Sequence, residues 1–220
     1  MNYYIDTEFI EGTQNKTFLG FNIGKTKPTI DLISIGIVAE DGREYYAISK
    51  DFNLREAWNR VQITTHSDEK PTYWIRENVL KPIFEDLLKR ETNRNNHLDN
   101  GGVSTDATFE MYNMQKLLNI YGKSNSQIAK EIIEFCQGNP VFYAYYAAYD
   151  WVAFCQLFGI MMNIPNGFPF YCRDLKQIAD NIWETTGKET RFESHEGEHH
   201  ALNDARINKK NHNFLIDLCK

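Results

Sequence analysis

Near its N-terminus the chain reads Tyr3-Tyr4-Ile5-Asp6-Thr7-Glu8-Phe9-Ile10. Aromatic and β-branched residues in such a run favour a buried β-strand, because their side chains pack well on a pleated surface. Asp6 and Glu8 interrupt the run, and carboxylates are rarely buried without a partner. Because side chains alternate along a strand, the two acids lie on one face, roughly 7 Å apart along the chain. The stretch therefore predicts a central strand that carries half of a divalent-metal site.

Length and composition predict one globular α/β domain over residues 1–220, since 220 residues with 42% hydrophobic content can bury a sizeable core. No apolar run approaches the length of a membrane span, and Met1 is not followed by a basic and then an apolar segment. We therefore expect a cytoplasmic protein that has no membrane partner. The four cysteines are far apart, which disfavours a zinc or redox site.

The net charge of -6 argues against non-specific attraction of nucleic acid to the whole surface. A polyphosphate substrate would have to be neutralised by bound metal and by local basic patches.

Two further strands are predicted after the first one. Residues 29–39 are apolar and β-branched, Asp41-Gly42 forms a tight turn, and residues 43–49 return. With the first strand they predict a three-stranded antiparallel meander. The polar residues 11–28 between them are predicted to form a surface loop.

The rest of the chain alternates between predicted strands and helices, which indicates a mixed sheet flanked by helices. Strands are expected at residues 140–146 and 168–172, and helices at residues 71–90 with a kink at Pro82, 126–136 with Ser126 as N-cap, 150–158, 174–183 and 201–218. The stretch 91–107 is rich in Asn, Asp, Gly, Ser and Thr, which is typical of a linker or an insertion.

Two later acids stand out by their context. Asp150 lies where an apolar strand is followed by a helix, and by itself it is most simply a helix N-cap. Asp204 lies in the first turns of the last helix, where an acid by itself complements the helix dipole.

Together, Asp6-x-Glu8, Asp150 and His199 five residues before Asp204 resemble, in order, the pattern of the DEDDh 3'-5' exonuclease superfamily. Within it, residues 4–11, 32–47 and 145–150 are similar to the bacterial RNase AS group of exoribonucleases. The superfamily commonly has Asn where Tyr146 stands. The resemblance implies an RNase H-like fold in which the four acids converge on one site, so that 91–107 would be an insertion within one domain.

The resemblance also implies two Mg²⁺ or Mn²⁺ ions. Asp6 would bridge both ions, Glu8 and Asp204 would complete the site on the nucleophile side, and Asp150 would support the second ion. Carboxylate oxygens suit these hard cations. A general base with a pKa near neutrality is also needed, as histidine has.

Two histidines compete for the role of base. His200 would share a helical face with Asp204 at a spacing of four residues. The family motif nevertheless places its histidine five residues before the aspartate. We therefore choose His199, on the loop before the helix, and treat His195 and His200 as solvated or supporting residues.

The implied activity is 3'-5' hydrolysis of single-stranded RNA ends to nucleoside monophosphates, with a preference for adenylate-rich tails. Phe9 could stack on the terminal base or lie in the core, and both interpretations stay open. Arg173 and Arg206 are candidate phosphate contacts, or simply solvated charges. A homodimer is expected, because one subunit of related enzymes can supply basic surface to the other.

Two alternatives remain. One is a DEDDh enzyme that acts on DNA ends or short oligonucleotides. The other is a non-catalytic module that binds nucleic acid. No glycine-rich phosphate loop follows a predicted strand, which argues against a kinase or a dinucleotide enzyme.

Overall fold

The computed structural model describes residues 1–19, 21–61, 72–95, 104, 106–192 and 197–220. The strands are β1 (Asn2–Gly12), β2 (Asn15–Phe18), β3 (Phe21–Lys25), β4 (Thr29–Ala39), β5 (Glu44–Ile48), β6 (Val141–Ala144) and β7 (Arg173–Asp174). The α-helices are α1 (Leu54–Asn59), α2 (Lys81–Asn95), α3 (Met111–Tyr121), α4 (Asn125–Phe135), α5 (Ala148–Gln156), α6 (Leu175–Thr186) and α7 (Ala201–Leu218).

The main sheet has five strands in the order β5-β4-β1-β6-β7. β1 and β6 run parallel, with Tyr4 opposite Tyr143, and β6 and β7 also run parallel. At the start of β1, Asn2 accepts a hydrogen bond from the amide of Glu40, which directly follows β4, so these strands are antiparallel. The predicted α/β fold is confirmed: a mixed sheet in which an antiparallel meander is joined to parallel strands, with flanking helices.

β1 occupies the centre of this sheet because its sequence is suited to burial on both faces. Tyr3, Ile5 and Ile10 have no exposed surface, and Tyr4 has only 2% exposed. Acids in the middle of such a strand are held where water has little access. The central position of the first strand is therefore as predicted.

The loop predicted for residues 11–28 contains the antiparallel hairpin β2–β3, so this prediction is wrong in part. All described residues of the two strands are exposed. Their mixed Lys, Thr, Phe and Asn content lacks the alternation of a strand with one buried face, which is why the hairpin was missed.

The helix predicted near Pro82 is irregular just before the proline. Residues Arg76–Leu80 form a π-helical turn, and the amide of Lys81 donates to the carbonyl of Arg76, five residues earlier. Proline has no N–H and clashes with the preceding turn, so the wider turn accommodates it at the start of α2. Pro71, the predicted start, lies outside the described residues.

α2 continues to Asn95, so residues 91–95 are helical and the predicted insertion begins too early. Glu91 is fully buried, and the Tyr121 hydroxyl donates a hydrogen bond to its carboxylate at a distance of 2.5 Å. Of the rest of that stretch, residues 96–103 and 105 lie outside the described residues.

Two smaller predictions were also wrong. The N-cap of α4 is Ser124, not Ser126, because its hydroxyl accepts from the amide of Gln127 at 3.2 Å. The strand expected at 168–172 is absent, and only Arg173–Asp174 pairs with β6. The apolar side chain of Phe168 packs on the ring of Phe142, with centroids 5.7 Å apart. An apolar residue at this position therefore reflects burial and not a strand.

The chain divides into two compact units. One comprises Met1–Phe9, Leu32–Ala47 and Ser124–Lys220, and has a core cluster that includes Tyr4, Tyr143 and Leu215. The other comprises Ile10–Asp31 and Ile48–Lys123, where the ring of Phe109 packs on Trp58 and Phe84 with centroids 4.6 and 5.3 Å apart. A single domain over residues 1–220 stays a prediction.

No helix within the described part of the chain has both the length and the apolar character that a membrane span requires.

Candidate active site

Three carboxylates meet at the centre of the first unit. Asp6 and Glu8 project from one face of β1, and Asp204 comes from the first turn of α7. One carboxylate oxygen from each of the three lies within 4.8 Å of the others. Glu8 is 8% exposed, while Asp6 and Asp204 are half-buried. The predicted convergence of these acids is present, and their oxygens form the kind of ligand set that hard divalent cations prefer.

Asp204 reaches this position because α7 begins very close to β4. A Cβ atom on Gly36 would lie 2.3 Å from the carbonyl oxygen of Ala201. Only a glycine allows the two backbones to approach so closely. Further along α7, the amide of the Asn208 side chain donates to the carbonyl of Ile5 at 2.9 Å. The start of the helix is thus held against the strand that carries the acids.

Asp150 is not the helix N-cap that its sequence context suggested. Ala147 occupies that position, and Asp150 lies inside the first turn of α5 with 6% of its surface exposed. Its Oδ1 accepts from the amide and the hydroxyl of Thr7, at 2.8 and 2.7 Å. A residue between the two acids of β1 therefore holds the fourth acid, a role that sequence reasoning missed.

Asp6, Glu8 and Asp150 all have raised pKa values, and burial is the largest cause for each. Burial, reinforced by the charges of the other three acids, raises the pKa of Asp6 well above its usual range. Burial and the charges of Asp204 and Asp150 raise the pKa of Glu8 in the same way. Burial also raises the pKa of Asp150 to about 7, although the hydrogen bonds from Thr7 oppose the rise. Carboxylates in this arrangement require protons or cations for neutralisation.

His199 lies on the turn just before α7, as predicted, and not on the helix itself. Its φ is 67°, an unusual left-handed conformation for a residue other than glycine. His200 is the N-cap residue, and its carbonyl accepts from the amide of Asp204 at 3.1 Å. The imidazole of His200 stacks on Tyr46 with centroids 4.7 Å apart. His195 lies outside the described residues.

Phe9 is half-buried, and its ring stacks on that of Tyr149 with centroids 5.8 Å apart and an angle of 7° between the planes. Tyr149 is 51% exposed. The two rings form a small aromatic surface next in sequence to Glu8 and Asp150. Both earlier interpretations of Phe9, core residue and stacking residue, stay open in this position.

Tyr146, at the position where the resemblance to the DEDDh superfamily would predict Asn, has φ 55° and is 59% exposed. Asn is one of the few residues that adopt this left-handed conformation readily. The backbone geometry is therefore one that would favour Asn, although this chain has Tyr.

The two candidate phosphate contacts already have protein partners. Arg206 forms a bidentate ion pair with Glu44, at 2.8 and 2.6 Å. Arg173 donates to the hydroxyl of Tyr143 at 3.1 Å and is otherwise exposed on β7. As substrate contacts, both stay predictions.

Gly36 and Asn208 were also missed as residues that position the site. A signal for Gly36 was present, because an isolated glycine within the β-branched run of β4 indicates a close backbone approach. For Asn208 no such local signal exists, since its acceptor lies more than two hundred residues earlier.

The central strand of a mixed α/β sheet carries two acids, and two helices add one acid each. This arrangement is typical of α/β proteins whose site is suited to divalent cations. Over residues 1–216 the chain matches the model of the 3'-5' exoribonuclease Rv2179c-like domain family, and it belongs to that family.

Two named relatives come from Mycobacterium tuberculosis: the 3'-5' exoribonuclease MT2234.1 of strain CDC 1551 / Oshkosh and the 3'-5' exoribonuclease Rv2179c of strain ATCC 25618 / H37Rv. The chain is 30% identical to each over 206 residues, which cover 94% of this chain and 88% of the relative.

Proposed function

We propose that this protein is a metal-dependent 3'-5' exoribonuclease of the DEDDh type that hydrolyses single-stranded RNA ends to nucleoside monophosphates. The observation that carries the proposal is the cluster of Asp6, Glu8 and Asp204 oxygens within 4.8 Å, in a chain whose family is named for this activity. The similarity to the RNase AS group supports a preference for adenylate-rich tails.

The residues present fit a pair of Mg²⁺ or Mn²⁺ ions. The carboxylates are all oxygen donors, and burial together with their mutual repulsion raises the pKa values of Asp6 and Glu8. Asp6, Glu8 and Asp204 would hold the ions together with Asp150. When bound, the ions would activate water, neutralise charge at phosphorus and stabilise the leaving 3'-oxygen.

The side chains of the protein have separate tasks in this proposal. His199 accepts the proton of the attacking water, because imidazole is the side chain most often used as a general base. His200 is less suited to that task, since its ring stacks on Tyr46. Thr7 keeps Asp150 oriented through its two hydrogen bonds. The exposed side of the Phe9–Tyr149 pair offers a surface for the terminal base.

We also propose a homodimer in the cytoplasm. The net charge of -6 disfavours attraction of RNA to the protomer surface as a whole, which supports a contribution from a second copy. Sedimentation velocity tests the dimer, and a purely monomeric, fully active enzyme would contradict it.

Product analysis tests the proposed activity. RNAs labelled at the 5' or the 3' end, with adenylate-rich or mixed tails, are incubated with the protein and Mg²⁺ or Mn²⁺, alongside matched DNA. We expect stepwise shortening from the 3' end of RNA, fastest on adenylate. Preferred digestion of DNA, or digestion of very short oligonucleotides alone, would contradict single-stranded RNA as the proposed substrate.

Asp6→Asn tests the assignment of the catalytic site. We expect it to lower the rate of RNA hydrolysis more than about a hundredfold, since a lost metal ligand costs more than a lost supporting residue. Asp217→Asn removes an exposed acid that is 71% accessible and should leave the rate unchanged. Unaltered hydrolysis by Asp6→Asn would mean that the assigned site is wrong, and absence of hydrolysis by the wild type would favour a non-catalytic binding module.

A further inference from the structure

The hairpin β2–β3 carries large apolar side chains that no described residue covers. Phe18 and Phe21 are directly opposite each other across the two strands. They are 64% and 75% exposed, and Leu19 and Ile23 beside them are 82% and 64% exposed. Scattered apolar residues are common on surfaces, but a contiguous group of this kind indicates a binding surface.

The same segment is locally cationic. Residues 13–28 contain the three lysines Lys16, Lys25 and Lys27 and no acidic residue, in a chain of net charge -6. All three lysines are exposed, and none forms an ion pair with the part of the chain that the structure describes. Their charges are therefore available to a partner.

The base of the hairpin is held by several hydrogen bonds. Gln14 is buried, its amide donates to the Thr26 hydroxyl at 3.0 Å, and its carbonyl accepts from the amide of Thr26 at 2.8 Å. The Gln14 side chain donates to Asp31, and Arg60 donates to the carbonyl of Thr13 at 3.0 Å. An isolated two-stranded hairpin is marginally stable in water, so these contacts help to keep it formed, while its strand residues are exposed within the described part of the chain.

We propose that residues 13–19 and 21–28 form an arm that binds single-stranded RNA. Phe18 and Phe21 stack on bases, and the three lysines contact backbone phosphates. Aromatic rings interspersed with cations are the general means of holding a single strand without reading its sequence. This inference rests on the proposed exoribonuclease function and adds a second contact with the substrate, outside the acidic cluster.

The charge distribution favours RNA over a second copy of the chain as the occupant. Lysines along the edges of an exposed hairpin disfavour edge-to-edge pairing with another sheet. A polyanion, in contrast, gains from three unpaired cations and from aromatic faces at once.

RNA binding is measured by fluorescence anisotropy with a labelled oligoadenylate of about 20 nucleotides, in EDTA to prevent hydrolysis. We expect K16Q/K25Q/K27Q to weaken binding at least about tenfold. The magnitude of the slope of log affinity against log salt should fall by about 2, because each lost phosphate contact contributes about 0.7. The matched control K81Q/K89Q/K130Q removes three other exposed lysines and should leave both quantities unchanged.

The aromatic contribution is tested with F18S/F21S. We expect at least about a fivefold loss of affinity for each stacked base with an unchanged salt slope, because stacking does not release counterions. Tyr112→Ser, at a ring that is 67% exposed on α3, is the control. Circular dichroism verifies that all variants are folded, and both hairpin variants should hydrolyse a dinucleotide at the wild-type rate.

If both hairpin variants bind RNA with wild-type affinity, the proposed RNA-binding arm is wrong, whether or not the protein hydrolyses RNA. A change in sedimentation with unchanged RNA affinity would also overturn it, and would assign the surface to contact with a second copy. If the wild-type protein hydrolyses no RNA but the hairpin variants bind RNA more weakly than it does, the RNA-binding arm is supported and the proposed exoribonuclease function is contradicted.

Discussion

Thr7 shows how one small side chain can determine the state of a buried acid. Its amide and its hydroxyl both donate to Oδ1 of Asp150, and both hydrogen bonds oppose the effect of burial, so that the pKa of Asp150 rises to about 7 and no further. Hydrogen bonds to a charged group contribute more than neutral ones, and the partner left behind stays desolvated. The residue between the two strand acids is thus a positioning residue for the acid on α5.

We predict that Thr7→Val lowers RNA hydrolysis about tenfold or more, in the range known for residues that orient metal ligands. Valine keeps the shape and the backbone donor and removes only the hydroxyl. The pH–rate profile should shift to higher pH, because the pKa of Asp150 rises further when a donor is lost.

Thr7→Ser is the matched control for this change, since it keeps the hydroxyl and should retain most of the activity. Equal activity and equal pH–rate profiles in Thr7→Val and Thr7→Ser would show that the hydroxyl has no such role.

At the scale of elements, the junction between β4 and α7 decides whether the acids meet. The carbonyl oxygen of Ala201 occupies the space that a side chain at Gly36 would need, with only 2.3 Å to an added Cβ. Both sides of this contact are backbone, so no rotamer change can relieve the overlap. The position of Asp204 relative to β1 depends on the absence of a single methyl group.

We therefore expect Gly36→Ala to displace the start of α7 and to abolish most RNA hydrolysis. The cost in the free energy of unfolding should be about 1–3 kcal/mol, as for other overpacked sites. Chemical denaturation and activity assays measure the two effects.

The double variant Gly36→Ala with Ala201→Gly tests the origin of the effect. Because the clash is with the carbonyl of residue 201 and not with its side chain, the second change should not restore activity. Restoration would show that side-chain packing, not backbone approach, positions the helix.

At the scale of the whole molecule, the acidic cluster is a source of instability that a cation removes. Asp6, Glu8 and Asp150 have raised pKa values in the folded state. As pH rises above about 4, the unfolded chain releases protons that these groups retain when folded, so their contribution destabilises folding progressively. That loss continues up to the folded pKa, which for Asp150 is about 7.

We predict that Mn²⁺ raises the melting temperature much more at pH 7.5 than at pH 5. At a concentration of about 100 times its Kd, a bound ion adds about 2.7 kcal/mol, or roughly 5–10 °C for a chain of this size. Differential scanning calorimetry with Mn²⁺ or EDTA at each pH measures the difference. Other carboxylates titrate equally in both solutions, so the metal-dependent difference isolates the cluster.

The same measurement on Asp6→Asn provides the control. Without Asp6 the repulsion is weaker, so the metal-free variant should be more stable than the wild type at pH 7.5 and should respond little to Mn²⁺. An equal response to Mn²⁺ in both proteins would place the ion elsewhere.

Patterns that depend on neighbouring residues could be predicted from the sequence. The alternation in residues 3–10 predicted a buried strand with two acids on one face, and helical spacing predicted α7 with the bounds Ala201–Leu218. The apolar, β-branched run likewise predicted β4, and the loop position of His199 followed from the motif spacing. α1 and α3 were not predicted: α1 has only six residues, whereas α3 does carry a helical signal in its buried Met114, Leu117 and Leu118.

Contacts between residues distant in the chain were decided only by the tertiary structure. Asp150 looked like a helix cap because its neighbours are a strand and a helix, yet it accepts from Thr7, 143 positions earlier. The support of Asn208 for β1, the approach of Gly36 to α7 and the exposure of the hairpin also depend on packing. Local sequence determines dihedral preference and periodicity, whereas the partner of a buried polar group is determined by which elements the fold brings together.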